Sequence, residues 1–227
     1  MKKIALFTLI SMLLFTGSIS AQDTLFAEKK DDMKTVFGSP GKIEHGGYGA
    51  FTMGYTTVDD QGALLMGGRA GWLINHRFTL GLAGYGFFNN LEKRENLAAW
   101  ENYTIAGGYG GLFMEAIIAP NYPVHVTIPL MIGAGGVSVN EGTWWDEQYW
   151  DYYNYDASAF FVIEPGIEVE LNIVKFFRLA VGANYRWTNG IDLTYSWYED
   201  GKYQNYKIPA DILDGFSYHM TLKFGWF

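Results

Sequence analysis

Cysteine is absent from the 227 residues, and basic residues are few. Without cysteine the chain has no thiolate metal ligands, no thiol nucleophile and no disulfide bond. Its 16 Lys and Arg residues face 24 acidic ones and form no cluster, whereas nucleic-acid binding depends on such clusters. We therefore expect no nucleic-acid partner, no metal and no cofactor.

Long apolar runs are also missing. The mostly apolar stretch from Ile4 to Phe15 is too short for a membrane-spanning helix, which needs about 20 residues. It follows Lys2 and Lys3 and is succeeded by small residues up to Ala21, the pattern of a secretory signal peptide. We expect a signal peptide at 1–21, a polar periplasmic lead-in at 22–43 and one domain at 44–227.

Aromatic residues make up 18% of the chain, and it has 28 glycines. Aromatic enrichment is typical of strands that cross both interfaces of a membrane. Glycine is suited to sharply coiled strands, where a side chain would collide with a neighbour. This composition favours a membrane β-barrel over a soluble sandwich.

The C-terminal segment alternates with a period of two, which predicts a strand with one apolar and one polar face. Its apolar positions are Phe216, Tyr218, Met220, Leu222, Phe224 and Trp226. The residues between them are Ser217, His219, Thr221, Lys223 and Gly225. Similar segments predict seven more strands, at about 45–57, 63–74, 78–88, 103–118, 124–138, 158–171 and 177–188.

The sequence leaves two features of these strands undetermined. The fourth strand has the weakest alternation, so its facing is undetermined. The segment 191–208 also alternates and would raise the count to ten strands. Its return leg, Lys202 to Ile208, is too polar to face lipid, and we interpret the segment as a hairpin above the membrane.

The connections between the predicted strands alternate in length. Those near 75–77, 119–123 and 172–175 are short, and those at 89–102, 139–157 and 189–214 are long. Only the first, near 59–62, breaks this contrast. Outer-membrane barrels have short turns on the periplasmic side and longer loops outside.

The alternating strands, uneven connections and aromatic C-terminus resemble small outer-membrane barrels of the outer membrane protein A and X type. The resemblance implies an all-β, closed, antiparallel, up-and-down transmembrane β-barrel of eight strands in the bacterial outer membrane. Implied partners are outer-membrane lipid, lipopolysaccharide and, through the C-terminal strand, the barrel assembly machinery. One departure is that Trp226, and not the final Phe227, shares the apolar parity. The alternative is a soluble lipocalin-like barrel, whose apolar face would point inward.

A membrane barrel would place the polar faces of its strands in the lumen. The residues expected in a lumen charge network are Arg69, Glu164, Glu168, Glu170, Arg178, Arg186, His219 and Lys223. Charges in a low-dielectric interior must pair or keep water. One candidate pairing in such a network is Arg186 with Glu164 or Glu168. An eight-stranded barrel is narrow enough for side chains to fill its lumen.

The connection 139–157 is acidic and aromatic. Its candidate binding residues for a glycan or surface ligand are Trp144, Trp145, Asp146, Glu147, Trp150 and Asp151. The alternative is a loop that continues the aromatic girdle.

These observations favour a structural or surface-interaction role. A narrow channel for small solutes is a second hypothesis. A third is a lipid A-modifying enzyme, because Ser217 and His219 share a face with Glu164 two strands away, a loose similarity to lipid A deacylase barrels. We expect no catalytic site, because a nucleophile needs its base within hydrogen-bonding distance.

Overall fold

The computed structural model describes residues 43–59, 61–89, 103–141, 153–199 and 202–227. The expected signal peptide, the lead-in up to residue 42 and the loop candidates Trp144 to Asp151 lie outside the described residues.

Eight strands of the described residues close into an antiparallel barrel, and two more form a separate hairpin. The barrel strands are β1 (His45–Val58), β2 (Gln61–Ile74), β3 (Phe78–Phe88), β4 (Tyr103–Ile118), β5 (Val124–Glu141), β6 (Tyr153–Val174), β7 (Phe177–Asn189) and β10 (Gly215–Trp226). The hairpin strands are β8 (Thr194–Glu199) and β9 (Lys202–Lys207). Each barrel strand pairs with its neighbours along the barrel, and β10 closes the cylinder on β1. The predicted eight-stranded up-and-down barrel is confirmed.

Residues 191–208 are not barrel strands, because β7 pairs directly with β10. The hairpin β8–β9 is a two-stranded sheet of its own, as its polar return leg predicts. Two strands are longer than expected: β5 continues to Glu141, and β6 begins at Tyr153. Their ladder passes through an irregularity between Val139 and Asn140 into a polar region with no hydrophobic alternation to mark a strand.

Short turns join the strands at the end of the barrel where the described chain begins and ends. In the turn after β2, the Arg77 amide donates to the Ile74 carbonyl oxygen at 3.0 Å. The central residues Asn75 and His76 have φ values of 51° and 56°, as a tight hairpin of the type I′ class requires. We call this the short-turn end and the opposite one the long-connection end.

The barrel is apolar outside and polar inside over much of its length. Exposed outward side chains include Phe51, Met53, Tyr55, Met66, Trp72, Leu82, Ile167, Val181, Phe216, Tyr218 and Trp226. Buried inward positions on the same strands include Thr52, Arg69, Glu168, Ser217, His219, Thr221 and Lys223. The described residues contain no helix long and apolar enough to cross a bilayer.

Candidate functional site in the barrel lumen

The Lys223 ammonium lies among three buried carboxylates near the short-turn end. Its Nζ donates to Glu115 Oε1 at 2.6 Å and to Glu170 Oε2, and lies 3.7 Å from Glu168 Oε2. The three carboxylates come within 4.8 Å of one another. Like charges this close require cations between them, and Lys223 supplies one.

Arg69 supplies a second cation from β2. Its Nη1 and Nη2 donate to the two carboxylate oxygens of Glu168 at 2.8 and 2.7 Å, a bidentate pair. Its Nη2 also lies 3.7 Å from Glu115 Oε1. The His219 Nε2 lies 2.8 Å from Glu168 Oε1 on the same side of the lumen. Bidentate guanidinium pairs fix both partners in orientation as well as in charge.

Glu170 is held mainly by β7 and β5. Arg178 Nη1 donates to Glu170 Oε1 at 2.8 Å, and the His125 Nε2 lies 3.1 Å from the same oxygen. Glu115 has a further donor in the Tyr48 hydroxyl, at 2.7 Å. These contacts complete a network that crosses the lumen between opposite walls of the barrel.

We call this network the lumen charge cluster. Its members are Arg69, Glu115, His125, Glu168, Glu170, Arg178, His219 and Lys223, all buried. Three carboxylates are matched by Arg69, Arg178 and Lys223, so the cluster is neutral when both histidines are neutral. Such matching offsets the cost of removing charges from water.

The cluster contains six of the eight residues that the sequence placed in a lumen network. Glu115 was missed, because β4 gives no alternation from which to read its facing. Tyr109, Gly111 and Phe113 share the inward face with Glu115, and none of them marks that face as polar. His125, on β5, is the other member of the cluster that the predicted network did not include.

The candidate ion pair of Arg186 with Glu164 or Glu168 is not formed among the described residues. Arg186 Nε donates to the Leu213 carbonyl oxygen at 2.7 Å, and its Nη2 donates to the Thr57 carbonyl oxygen at 3.2 Å. Glu164 accepts from Asn184 Nδ2 at 3.2 Å instead, and Glu168 is paired with Arg69. Backbone carbonyls thus take the place of the predicted carboxylate, and one of them comes from a long connection.

That connection covers the long-connection end of the lumen. We call residues 208–214 the lumen lid: Ile208, Ile212 and Leu213 are buried in it. The Asp59 amide donates to the Ile212 carbonyl oxygen at 2.9 Å. Asp214 Oδ1 accepts from both the amide and the hydroxyl of Thr188 at 2.7 Å.

Beneath the lid the lumen is apolar. The buried residues packed together here are Val58, Ala63, Leu65, Ala83, Tyr85, Phe87, Ile105, Tyr109, Phe113, Met131, Val137, Val139, Phe160, Val162, Ile191, Leu193, Tyr195, Ile208, Ile212 and Leu213. We call this set the apolar plug. From the sequence we expect side chains to fill the lumen, but the alternation does not predict that half of the filling is apolar.

Phe227 lies at the short-turn mouth of the lumen. The Arg178 Cζ is 3.9 Å from the centroid of its ring, and the Tyr48 ring centroid is 5.7 Å away. The departure of Phe227 from the apolar parity thus has a structural counterpart, since its ring contacts lumen residues while Trp226 is exposed.

The geometry gives no support to a serine nucleophile. Ser217 Oγ donates to Thr56 Oγ1 at 3.2 Å, and His219 Nε2 contacts Glu168. Among the described residues no hydrogen bond joins Ser217 to His219, and both side chains are buried in the lumen. Glu164 accepts a hydrogen bond from Asn184 and not from either of them, so the three residues do not form a relay.

No family model matches the sequence, and no curated protein matches it. Solved structures with a similar fold include Neisserial surface protein A, at 9% identity over 81% of this chain and 99% of that one, with a TM-score of 0.48. A major outer membrane protein from Thermus thermophilus has 10% identity over 80% of this chain and 99% of that one, TM-score 0.48. The attachment invasion locus protein of Yersinia pestis, solved with the heparin analogue sucrose octasulfate, has 9% identity over 82% of this chain and 100% of that one, TM-score 0.44. These likenesses are too distant to support an inference about this chain.

The assignment of class therefore depends on the chain's own geometry. A closed antiparallel barrel has no free edge, and here its outer surface is apolar while its charges lie paired inside. A soluble lipocalin-like barrel would have the opposite arrangement. The chain is an outer-membrane β-barrel protein of eight strands.

Proposed function

We propose that this barrel has a structural or surface-interaction role and that its lumen carries no solute. The observation that supports this best is that side chains fill the lumen along its length. The lumen charge cluster occupies the short-turn half, and the apolar plug, which includes the buried lid residues Ile208, Ile212 and Leu213, occupies the long-connection half. Eight strands leave an interior that side chains of this size can fill.

The proposal assigns contact with other molecules to the outer surface and the long connections. The apolar outer face contacts lipid, and the loops at the long-connection end contact lipopolysaccharide, glycans or another cell-surface ligand. Trp144, Trp145, Asp146, Glu147, Trp150 and Asp151 remain the candidate residues for that contact. Aromatic rings stack on sugar faces, and carboxylates accept hydroxyl hydrogen bonds.

A conductance measurement tests the central claim. Purified barrel reconstituted into planar bilayers should give no unit conductance above the lipid background, because both the plug and the cluster obstruct the lumen. The matched control is a variant in which Leu213 and Phe87 are both changed to Ala, which thins the plug without altering the cluster. A steady unit conductance in the unmodified protein would overturn the proposal in favour of a narrow channel.

Binding is tested separately. Vesicles containing lipopolysaccharide should retain a soluble glycan probe more strongly with the unmodified barrel than with a variant carrying Trp144→Ala, Trp145→Ala and Trp150→Ala. Equal retention by both proteins would remove the surface-interaction role from these residues and leave the structural one.

A further inference from the structure

Four polar side chains where the lumen charge cluster meets the apolar plug have atoms without a hydrogen-bond partner, and one of the four, Tyr109, belongs to the plug. The atoms are Glu164 Oε2, Arg186 Nη1, Tyr109 OH and Asn184 Oδ1. Relative exposures are 2% for Glu164, 0% for Arg186, 5% for Tyr109 and 8% for Asn184. A buried polar atom left unpaired destabilises the folded state, and more so when it is charged.

The four groups are neighbours. Asn184 Nδ2 donates to the other oxygen of Glu164 at 3.2 Å, and the Arg186 Cζ lies 5.5 Å from the Tyr109 ring centroid. The Tyr109 hydroxyl lies near both Glu164 and Arg186 and interacts with each, but it meets the full distance and angle criteria of a direct hydrogen bond with neither. No ion pair within 4.0 Å joins Glu164 to Arg186, although both lie in the described part of the chain.

From this geometry we infer that Tyr109, Glu164, Asn184 and Arg186 form an internal water site. A water molecule can donate to the Glu164 carboxylate and to the Asn184 carbonyl oxygen while accepting from Arg186 and Tyr109. Buried waters typically make two to four such hydrogen bonds to groups that would otherwise be unpaired. A bridging water can also connect two oppositely charged groups that lie too far apart for a direct hydrogen bond.

The other polar groups nearby are already committed. Arg186 Nε and Nη2 are used on the Leu213 and Thr57 carbonyl oxygens, and Thr56 Oγ1 accepts from Ser217. The guanidinium therefore cannot turn toward Glu164 without releasing the lumen lid. The water site thus lets one arginine hold the lid and neutralise a carboxylate at the same time.

Solution NMR of the barrel in detergent micelles tests the presence of water. The side-chain amide protons of Asn184 should show cross-relaxation with water whose sign indicates a long residence time. The exposed side-chain amide of Asn205 on β9 is the control for brief contact with bulk water. Absence of the long-lived signal at Asn184 would overturn the inference.

A stability comparison tests the geometry. Tyr109→Phe should lower the denaturant midpoint by an amount similar to Tyr48→Phe, whose hydroxyl donates to Glu115 at 2.7 Å. If the Tyr109 hydroxyl had no partner, its removal would leave the midpoint unchanged or raise it, and the site would be wrong as assigned. A lowered midpoint without long-lived water at Asn184 would indicate a direct bond from Tyr109 to Glu164 and would also contradict it.

Discussion

The two halves of the lumen are stabilised by opposite means. Near the short-turn end, eight charged or titratable side chains neutralise one another through direct contacts of mostly 2.6 to 3.1 Å. Near the long-connection end, apolar side chains pack beneath a lid that the chain supplies from outside the barrel wall. The stability of the charged half depends on the presence of every ion-pair partner, whereas the stability of the apolar half depends on close packing.

This difference affects how each half should respond to mutation. Removing one charge from a buried network leaves its partners uncompensated, so the penalty exceeds the worth of a single pair. Removing apolar volume costs transfer free energy and a cavity, and the surroundings can relax. A single substitution should therefore destabilise the charged half more than the apolar half.

The largest effect is expected at Lys223. Lys223→Met should lower the free energy of unfolding by about 3–5 kcal/mol, because Glu115, Glu168 and Glu170 would then share too few cations. The measurement is denaturant unfolding of barrels folded in lipid vesicles, followed by the mobility difference between folded and boiled protein.

The matched control for that change is Lys207→Met on the hairpin. Lys207 Nζ pairs with Asp192 Oδ1 at 3.2 Å, but both side chains are about three-quarters exposed. An exposed pair contributes about 0–1 kcal/mol. Equal losses at the two lysines would mean that the lumen charge cluster is hydrated, and the contrast between the halves would disappear.

A smaller effect is expected on the outer face of the charged half. Leu222 lies opposite Phe51 on β1 and Leu179 on β7. Its neighbour Lys223 is buried in the lumen, so Leu222 points outward, since adjacent residues of a strand face opposite sides. Leu222→Arg should cost about 2–4 kcal/mol, as charges on the lipid face near the bilayer centre do. Spin labels at 222 and 223 give an independent measurement: oxygen, which concentrates in lipid, should relax only the label at 222. Preferential relaxation at 223 would reverse the inside and outside of the barrel.

The facing of residues such as Leu222 could be predicted from the sequence because a strand has a period of two. That period fixed the facing of seven of the eight barrel strands, and with it the inward placement of Glu168, Glu170 and Lys223. It failed on β4, where glycine and apolar residues occur on both faces and Glu115 is the exception. The period of two also does not predict which inward-facing residues contact one another across the lumen.

The lumen lid lay beyond sequence reasoning for a different reason. Its residues come from a long connection, and nothing in their order indicates that the Leu213 carbonyl reaches Arg186. The partner of Arg186 therefore could not be predicted, since the expected pairing considered only side chains on the barrel wall. Register alone favours the carboxylate, because Ile163 opposite Trp187 and Gly166 opposite Asn184 place Glu164 on β6 across from Arg186.

The smallest effect is expected where the lid is attached to the wall. Asp214→Ala removes the acceptor of both the Thr188 amide and the Thr188 hydroxyl. We expect a loss of roughly 1–2 kcal/mol, toward the low end for hydrogen bonds to charged groups, because Asp214 is only half-buried. That loss should appear as local opening of the lid, since the ladder between β7 and β10 does not depend on Asp214.

Amide hydrogen exchange distinguishes local opening of the lid from opening of the whole barrel. The Asp59 amide, which donates to Ile212, should exchange faster. The Asn172 amide, which donates to the Pro123 carbonyl oxygen at the short-turn end, should exchange at an unchanged rate. If both amides exchanged faster together, the lid and the lumen charge cluster would open as one unit, and the two halves of the lumen would not be energetically distinct.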